Sequence, residues 1–128
     1  MTQGPRTIGV IGAGSWGTAI ARLLARKGHQ VSIWAREAEV VREIQVFREN
    51  RTFLPGVALP DTLESSSDLS ETVKGKEILI SVVPSQFVSH VFGDLASELA
   101  PGTQIVSASK GIENSTYLTV AGIMYRCD

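Results

Sequence analysis

Gly12, Gly14 and Gly17 stand at the spacing G-x-G-x-x-G in the run Gly12 to Gly17, GAGSWG. Glycines so spaced allow a tight turn, a close backbone approach to a pyrophosphate, and close packing of a helix on a strand. A helix that starts on such a turn aims its first N–H groups, and the positive end of its dipole, at whatever lies over the glycines. An anion is the natural guest. Ser15, at the helix entrance, either caps the helix or donates its hydroxyl to a phosphate oxygen. Trp16 either belongs to the buried helix face or leans its ring into the site.

About 20 residues beyond such a turn, a site for NAD usually places Asp or Glu against the ribose 2′-hydroxyl. Here the chain has Ala35 and Arg36. A small neutral residue followed by a guanidinium suits a 2′-phosphate, because the planar fork of donors carries a charge that cannot be lost. Arg36 has two other uses: stacking on adenine, which tolerates NAD, and a solvated position at a helix start beside Glu37 and Glu39. Lys110, after an apolar run and before Gly111, is either a solvated loop lysine or a phosphate or carbonyl partner for a substrate. His29 and His90 show no partner pattern, and no metal constellation is visible. Ser15 and Ser85 lack the G-x-S-x-G context of a hydrolase nucleophile.

The elements that must position these groups follow from periodicity. An apolar strand, TIGVIG, leads into the glycines, and a helix follows with Trp16, Ala19, Ile20, Leu23 and Leu24 at helical spacing. Gly28 ends it as a C′ residue would. Gln30 to Ala35 reads as a second strand, and Glu37 to Glu49 as a helix with Val40, Val41, Ile44 and Phe47 on one face. Right-handed crossover makes the two strands parallel neighbours. Asn50 to Pro60, NRTFLPGVALP, is a loop in which Phe53 and Leu54 are unusually apolar; the two either pin the loop to the core, or Phe53 forms a wall of the pocket.

Glu64 to Ser67 reads as a short strand, and Asp68 to Glu71 resembles a capping box for a short helix that Gly75 ends. Glu77 to Val83 is nearly continuous apolar, as in a parallel strand covered on both faces. Pro84 suits helix position N1, and Phe87, Val88, Val91, Leu95 and Leu99 mark the buried face of the next helix. Pro101 and Gly102 turn the chain into a further strand, Thr103 to Ser109. The expected fold is α/β: a three-layer, doubly wound Rossmann-type arrangement around a mostly parallel sheet. Ligands of such sheets bind beyond the carboxyl ends of the strands, which gathers Gly12 to Gly17, Arg36, Val83 to Phe87 and Lys110 at one edge.

The bulk properties agree with one ordinary domain: 128 residues, 43% hydrophobic and 20% charged, with a formal net charge of -1. Near-neutral charge gives no electrostatic reason to expect nucleic acid or an anionic membrane as partner. The start, MTQGPR, has no apolar stretch of the signal-peptide kind, and no run approaches the roughly 20 apolar residues of a membrane span. A cytoplasmic protein is expected. Cys127 is the only cysteine, which excludes an internal disulfide and a cysteine metal cluster.

The ordered motifs GAGSWGTAIA, WAR, NRTFLPG, VVPSQF and SASKGIE resemble the amino-terminal domain of the bacterial type of NAD(P)-dependent glycerol-3-phosphate dehydrogenase. The resemblance covers the chain to about Ala121. It implies an enzyme that interconverts sn-glycerol 3-phosphate and dihydroxyacetone phosphate for phospholipid synthesis, with NADPH or NADH as cofactor. It further implies that Gly12 to Gly17 cradle the pyrophosphate, with Ser15 and Trp16 as contacts, and that Arg36 holds the adenosine 2′-phosphate side. Phe53 and Phe87 would be weaker cofactor contacts. Lys110 would touch cofactor and substrate. Members of the family carry a second, helical domain with the principal catalytic lysine and most of the substrate-phosphate groups, and nothing in this sequence matches it. The expectation is therefore a cofactor-binding domain with no principal catalytic residue of its own, inactive alone and able to form a homodimer through the apolar surface where the second domain docks.

Three rivals remain at this level. Another dehydrogenase with a related amino-terminal domain is disfavoured by SWGTA together with SASKGIE. A stand-alone NAD-sensing module would favour an acidic residue at Arg36. A methyltransferase using S-adenosylmethionine has no need of a phosphate-binding helix end.

Overall fold

In the computed structural model, residues 5–82 and 102–107 are described. They form β1 (Thr7–Ile11), α1 (Ser15–Arg26), β2 (Gln30–Trp34), α2 (Ala38–Phe47), β3 (Glu64–Ser66), α3 (Leu69–Val73), β4 (Ile78–Ser81) and β5 (Gln104–Ser107). The five strands make one sheet in the order β3-β2-β1-β4-β5. Every pairing is parallel. The chain winds outward from β1 through β2 to β3, then crosses back to β4 and β5. This is the doubly wound Rossmann arrangement, and the reversal of direction falls between β1 and β4.

Strand alternation sorts the side chains into two faces. Ile8 and Val10 pair with Val31 and Ile33, and all of them lie in one core cluster with Ala21 and Ala25 of α1 and Val40, Val41 and Ile44 of α2. On the other face stands Gly9, where a Cβ would come within 2.9 Å of Leu79 Cδ2 and 3.2 Å of the Thr72 carbonyl oxygen. The missing side chain is what lets α3 lie against β1. The sheet therefore has α1 and α2 on one side and α3 on the other, which is the expected three-layer order.

Local chemistry sets the ends of the helices. Gly28 takes φ +98°, and its N–H donates to the Ala25 carbonyl at 3.0 Å, closing α1 as a left-handed C-terminal residue does. At α3, Asp68 Oδ1 accepts from the Glu71 N–H at 3.2 Å, the forward half of the expected box. The return half is made by another residue, for the Asp68 N–H donates to Ser66 Oγ at 2.9 Å.

The expected inward stripe of α1 is corrected by the structure. Gly17, Thr18, Ala21 and Ala25 face the sheet, whereas Trp16 and Leu23 are 46% and 55% exposed and Ala19 is exposed as well. Close contact between helix and sheet admits only small side chains, so Trp16 and Leu23 turn outward, while Leu24 of the expected stripe packs half-buried against the core. The interior reading of Phe47 fails likewise: it is 49% exposed, with the Arg51 guanidinium 3.7 Å from its ring centroid in a cation–π contact.

Candidate functional site

The parallel sheet brings the carboxyl ends of β1, β2 and β4 to one edge, and the glycine turn leaves β1 there. Gly12 takes φ +122°, a conformation open to glycine and costly to other residues. Its N–H donates to the Trp34 carbonyl at 3.0 Å, which extends the β1–β2 ladder into the turn. Gly14 is the N-cap of α1, and no side chain caps the helix. Among the described residues nothing lies within 4 Å of a Cβ built at Gly14, so that side of the turn is open. At Gly17 the opposite holds, for a Cβ there would lie 2.6 Å from Val82 Cγ2. The three glycines thus serve three needs: the turn, the approach and the packing.

The first bond of the helix ladder that starts at the cap runs from the Thr18 N–H to the Gly14 carbonyl, at 3.0 Å. The N–H groups of Ser15, Trp16 and Gly17 precede it and lie at the positive end of the dipole. Ser15 is the first helical residue, so its capping role is corrected: Gly14 holds the cap position and Ser15 sits exposed beside the open space. Trp16, on the same turn, is exposed rather than buried in the core.

Arg36 follows β2 after the fully buried Ala35. It is exposed at the same edge as the turn. No ion pair to Glu37 or Glu39 engages it among the described residues. Trp34, two positions earlier, donates from Nε1 to the Ser67 carbonyl at 3.1 Å, which ties the end of β2 to the segment after β3.

The segment after α2 is held by a set of side-chain bonds that periodicity does not reveal. Asn50 is fully buried. Its Nδ2 donates to the Ala13 carbonyl and to Thr18 Oγ1, both at 2.8 Å. Its Oδ1 accepts from the Phe53 N–H at 3.0 Å. Around it, Glu43 Oε1 accepts from the Thr52 N–H at 3.0 Å and Glu49 Oε2 from the Gly56 N–H at 2.8 Å. The Gly56 N–H holds the Glu49 carboxyl below its ordinary pKa against the opposing effect of desolvation, and Arg51 adds to the lowering. Phe53 does not pin this loop to the core. It is 39% exposed, and Asn50, Leu59 and Leu63 are the residues that bury. Arg22 adds a further clamp from α1, its Nε donating to the Ala58 carbonyl at 2.9 Å.

Phe87 and Lys110 lie outside the described residues, as do Pro84 and His90. His29 accepts at Nδ1 from the Arg6 N–H at 3.0 Å, a backbone tie at the amino edge of the sheet and away from the glycine turn. Among the described residues no cluster of His, Cys, Asp and Glu is arranged to hold a metal, and no helix is long and apolar enough to cross a membrane.

An open glycine turn under a helix start, with an arginine beyond the next strand, is the arrangement expected for a dinucleotide, and comparison with known proteins gives the family. Residues 7–126 match the model of the NAD-dependent glycerol-3-phosphate dehydrogenase N-terminus. The chain belongs to that family. Among curated relatives, glycerol-3-phosphate dehydrogenase [NAD(P)+] of Geobacter sulfurreducens is 51% identical over 113 residues, covering 88% of this chain and 34% of that protein. The protein of the same name from Parvibaculum lavamentivorans is 40% identical over 97% of this chain and 37% of its own length. The chain thus spans about a third of the length of the curated relatives it matches. Among solved structures, the glycerol-3-phosphate dehydrogenase of Coxiella burnetii superposes with a TM-score of 0.83 at 33% identity, covering 95% of this chain and 37% of that one. The yeast glycerol-3-phosphate dehydrogenase gives 0.81 at 26% identity, covering 94% and 40%.

Proposed function

We propose that this chain is the NAD(P)-binding domain of an sn-glycerol-3-phosphate dehydrogenase, which interconverts glycerol 3-phosphate and dihydroxyacetone phosphate in the cytoplasm and feeds glycerophospholipid synthesis. The observation that carries the reading is the glycine turn, with φ +122° at Gly12, open space over Gly14 and no space at Gly17. That combination fits a pyrophosphate. The N–H groups of Ser15, Trp16 and Gly17 would receive the phosphate oxygens, with the Ser15 hydroxyl beside them. Arg36 would read the 2′-phosphate, and Phe53 and Phe87 would flank the cofactor.

When bound, the nicotinamide gives or takes the hydride exchanged with carbon 2 of the substrate. Lys110 would hold the substrate oxygen and polarise it. On the family resemblance, the remaining substrate groups would belong to a second, helical domain. Hydride transfer requires both reactants in near-attack geometry, so the chain alone would bind cofactor and turn over very little. Homodimerisation through apolar surface belongs to the same reading, and nucleic acid has no part in it.

Calorimetric titration of the 128-residue chain with NADPH and with NADH tests the proposal. Tighter binding of NADPH by about tenfold or more, or about 1.4 kcal/mol, is expected. Equal affinities would remove the NADP preference and leave the dehydrogenase reading standing. Failure to bind either would sink both.

A further inference from the structure

Asn50 opens the loop that carries Phe53, yet its side chain lies against the glycine turn. Both of its amide hydrogens are used, one on the Ala13 carbonyl and one on Thr18 Oγ1, each at 2.8 Å. Thr18 Oγ1 in turn donates to the same Ala13 carbonyl at 3.3 Å. Its amide oxygen accepts from the Phe53 N–H at 3.0 Å, and its backbone carbonyl from the Leu54 N–H at 2.8 Å. One fully buried side chain therefore bonds the last residue before Gly14, the first full turn of α1 and the loop at once. A buried amide with every one of these bonds made is costly to disturb, because breaking any of them leaves a desolvated polar group unpaired.

We infer that Asn50 is a positioning residue that locks the Phe53 loop and the glycine turn into a single arrangement, so that dinucleotide affinity depends on a side chain that touches no dinucleotide. This rests on the dinucleotide reading of the turn. The link is geometric: Ala13 and Thr18 bracket Gly14 to Gly17, and Phe53 is placed by the same amide. Loss of the amide frees the loop and the turn to move separately. The fraction of molecules with both in place then falls, and apparent affinity falls by the same factor.

The test uses the 128-residue chain with Asn50→Ala, and with Thr18→Val and Thr18→Ser as milder partners. Hydrogen exchange of the unliganded chain is read first. Asn50→Ala is expected to speed exchange at Phe53 and Leu54 and, together with them, across residues 14–18. NADPH titration is expected to show affinity about tenfold weaker in Asn50→Ala, weaker to a smaller extent in Thr18→Val, and restored in Thr18→Ser. Phe53→Ala should weaken binding in the wild-type background and add nothing in the Asn50→Ala background, since the two changes remove one arrangement. Faster exchange confined to the loop overturns the inference, whatever the wild-type chain binds. Unchanged NADPH affinity in Asn50→Ala and Thr18→Val overturns it as well. A wild-type chain that binds no NADPH overturns instead the function proposed above and the affinity half of this inference, while the exchange data still decide the coupling. If Asn50→Ala does not fold, the Thr18 pair carries the same comparison.

Discussion

A Cβ built on Gly17 would stand 2.0 Å from the Gly12 carbonyl oxygen. Two glycines of one motif thus press against each other, and the second exists for the first. Gly17→Ala can be accommodated only by lifting α1 off the turn. Because the obstacle is backbone, the cost should reach about 3 kcal/mol or more, at the upper end for overpacked sites. Denaturant unfolding of the variant checks this, and wild-type stability would contradict the packing described.

Gly14 offers the contrasting case. It has φ -72° and caps α1 without a side chain, in open space. Gly14→Ser supplies the missing cap oxygen and should stabilise the unliganded chain by a few tenths of a kcal/mol. The same hydroxymethyl group fills the approach to the turn, so NADPH binding should weaken. A small rise in Tm with a fall in affinity, read from melting and titration of one preparation, is the expected pair of results.

At Arg36 the expectation concerns discrimination more than affinity. A charge-assisted bond from a guanidinium to phosphate contributes about 1.5–3 kcal/mol. Arg36→Ala should therefore cost NADPH about tenfold or more and leave NADH nearly unchanged. Parallel titrations with the two cofactors measure the ratio; an equal loss for both would mean that the guanidinium stacks on adenine instead.

Arg48 ends α2 in the left-handed conformation, φ +53°. Its guanidinium returns to the Ile44 and Leu63 carbonyls at 3.2 and 3.1 Å and also to the Asp61 carbonyl. Arg48→Ala keeps the unfavourable backbone and loses the bonds, whereas Arg48→Gly loses the bonds and relieves the backbone. Stability should fall in the order wild type, Gly, Ala, with the last two separated by roughly 1 kcal/mol. Thermal unfolding of the set gives the order directly.

The Glu49 carboxyl, held below its ordinary value chiefly by the Gly56 N–H, makes the loop sensitive to acid. A depressed folded-state pKa adds stability that is present above the unfolded value, about 4.3, and disappears as pH falls through the folded one. The Gly56 amide should therefore exchange more readily, relative to an unstructured amide at the same pH, once the solution drops below that range. Glu49→Gln should remove the dependence.

How much of this was legible beforehand differs from one element to the next. The strands announce themselves as short apolar runs, and right-handed crossover places β1 beside β2, so the edge that gathers the glycine turn and Arg36 follows from the pattern. The buried face of α1 does not. Counting large apolar residues selects Trp16, Ile20, Leu23 and Leu24, and of these Leu24 does pack on the core, while the buried face is Gly17, Ala21 and Ala25, a glycine and two alanines at intervals of four. That spacing of small residues was the available signal. Asn50 had none, because a polar residue at the head of a loop reads as solvated, and its partners lie 32 and 37 positions away. Hydrophobicity makes Phe53 a candidate pin for the loop, a task that the buried Asn50 amide performs.

The small inner face of α1 also divides the freedom of this helix to vary. Gly17, Thr18, Ala21 and Ala25 are pressed to the sheet and can accept little enlargement without tilting the helix. Any tilt swings the amino end, where the anion is to sit, farther than the middle. Ala19 and Leu23 face outward and leave the axis where it is when they change. In a library randomised along α1, tolerance should therefore run in stripes, with cofactor binding lost at inner positions even where the fold survives and outer positions open to redesign as a surface.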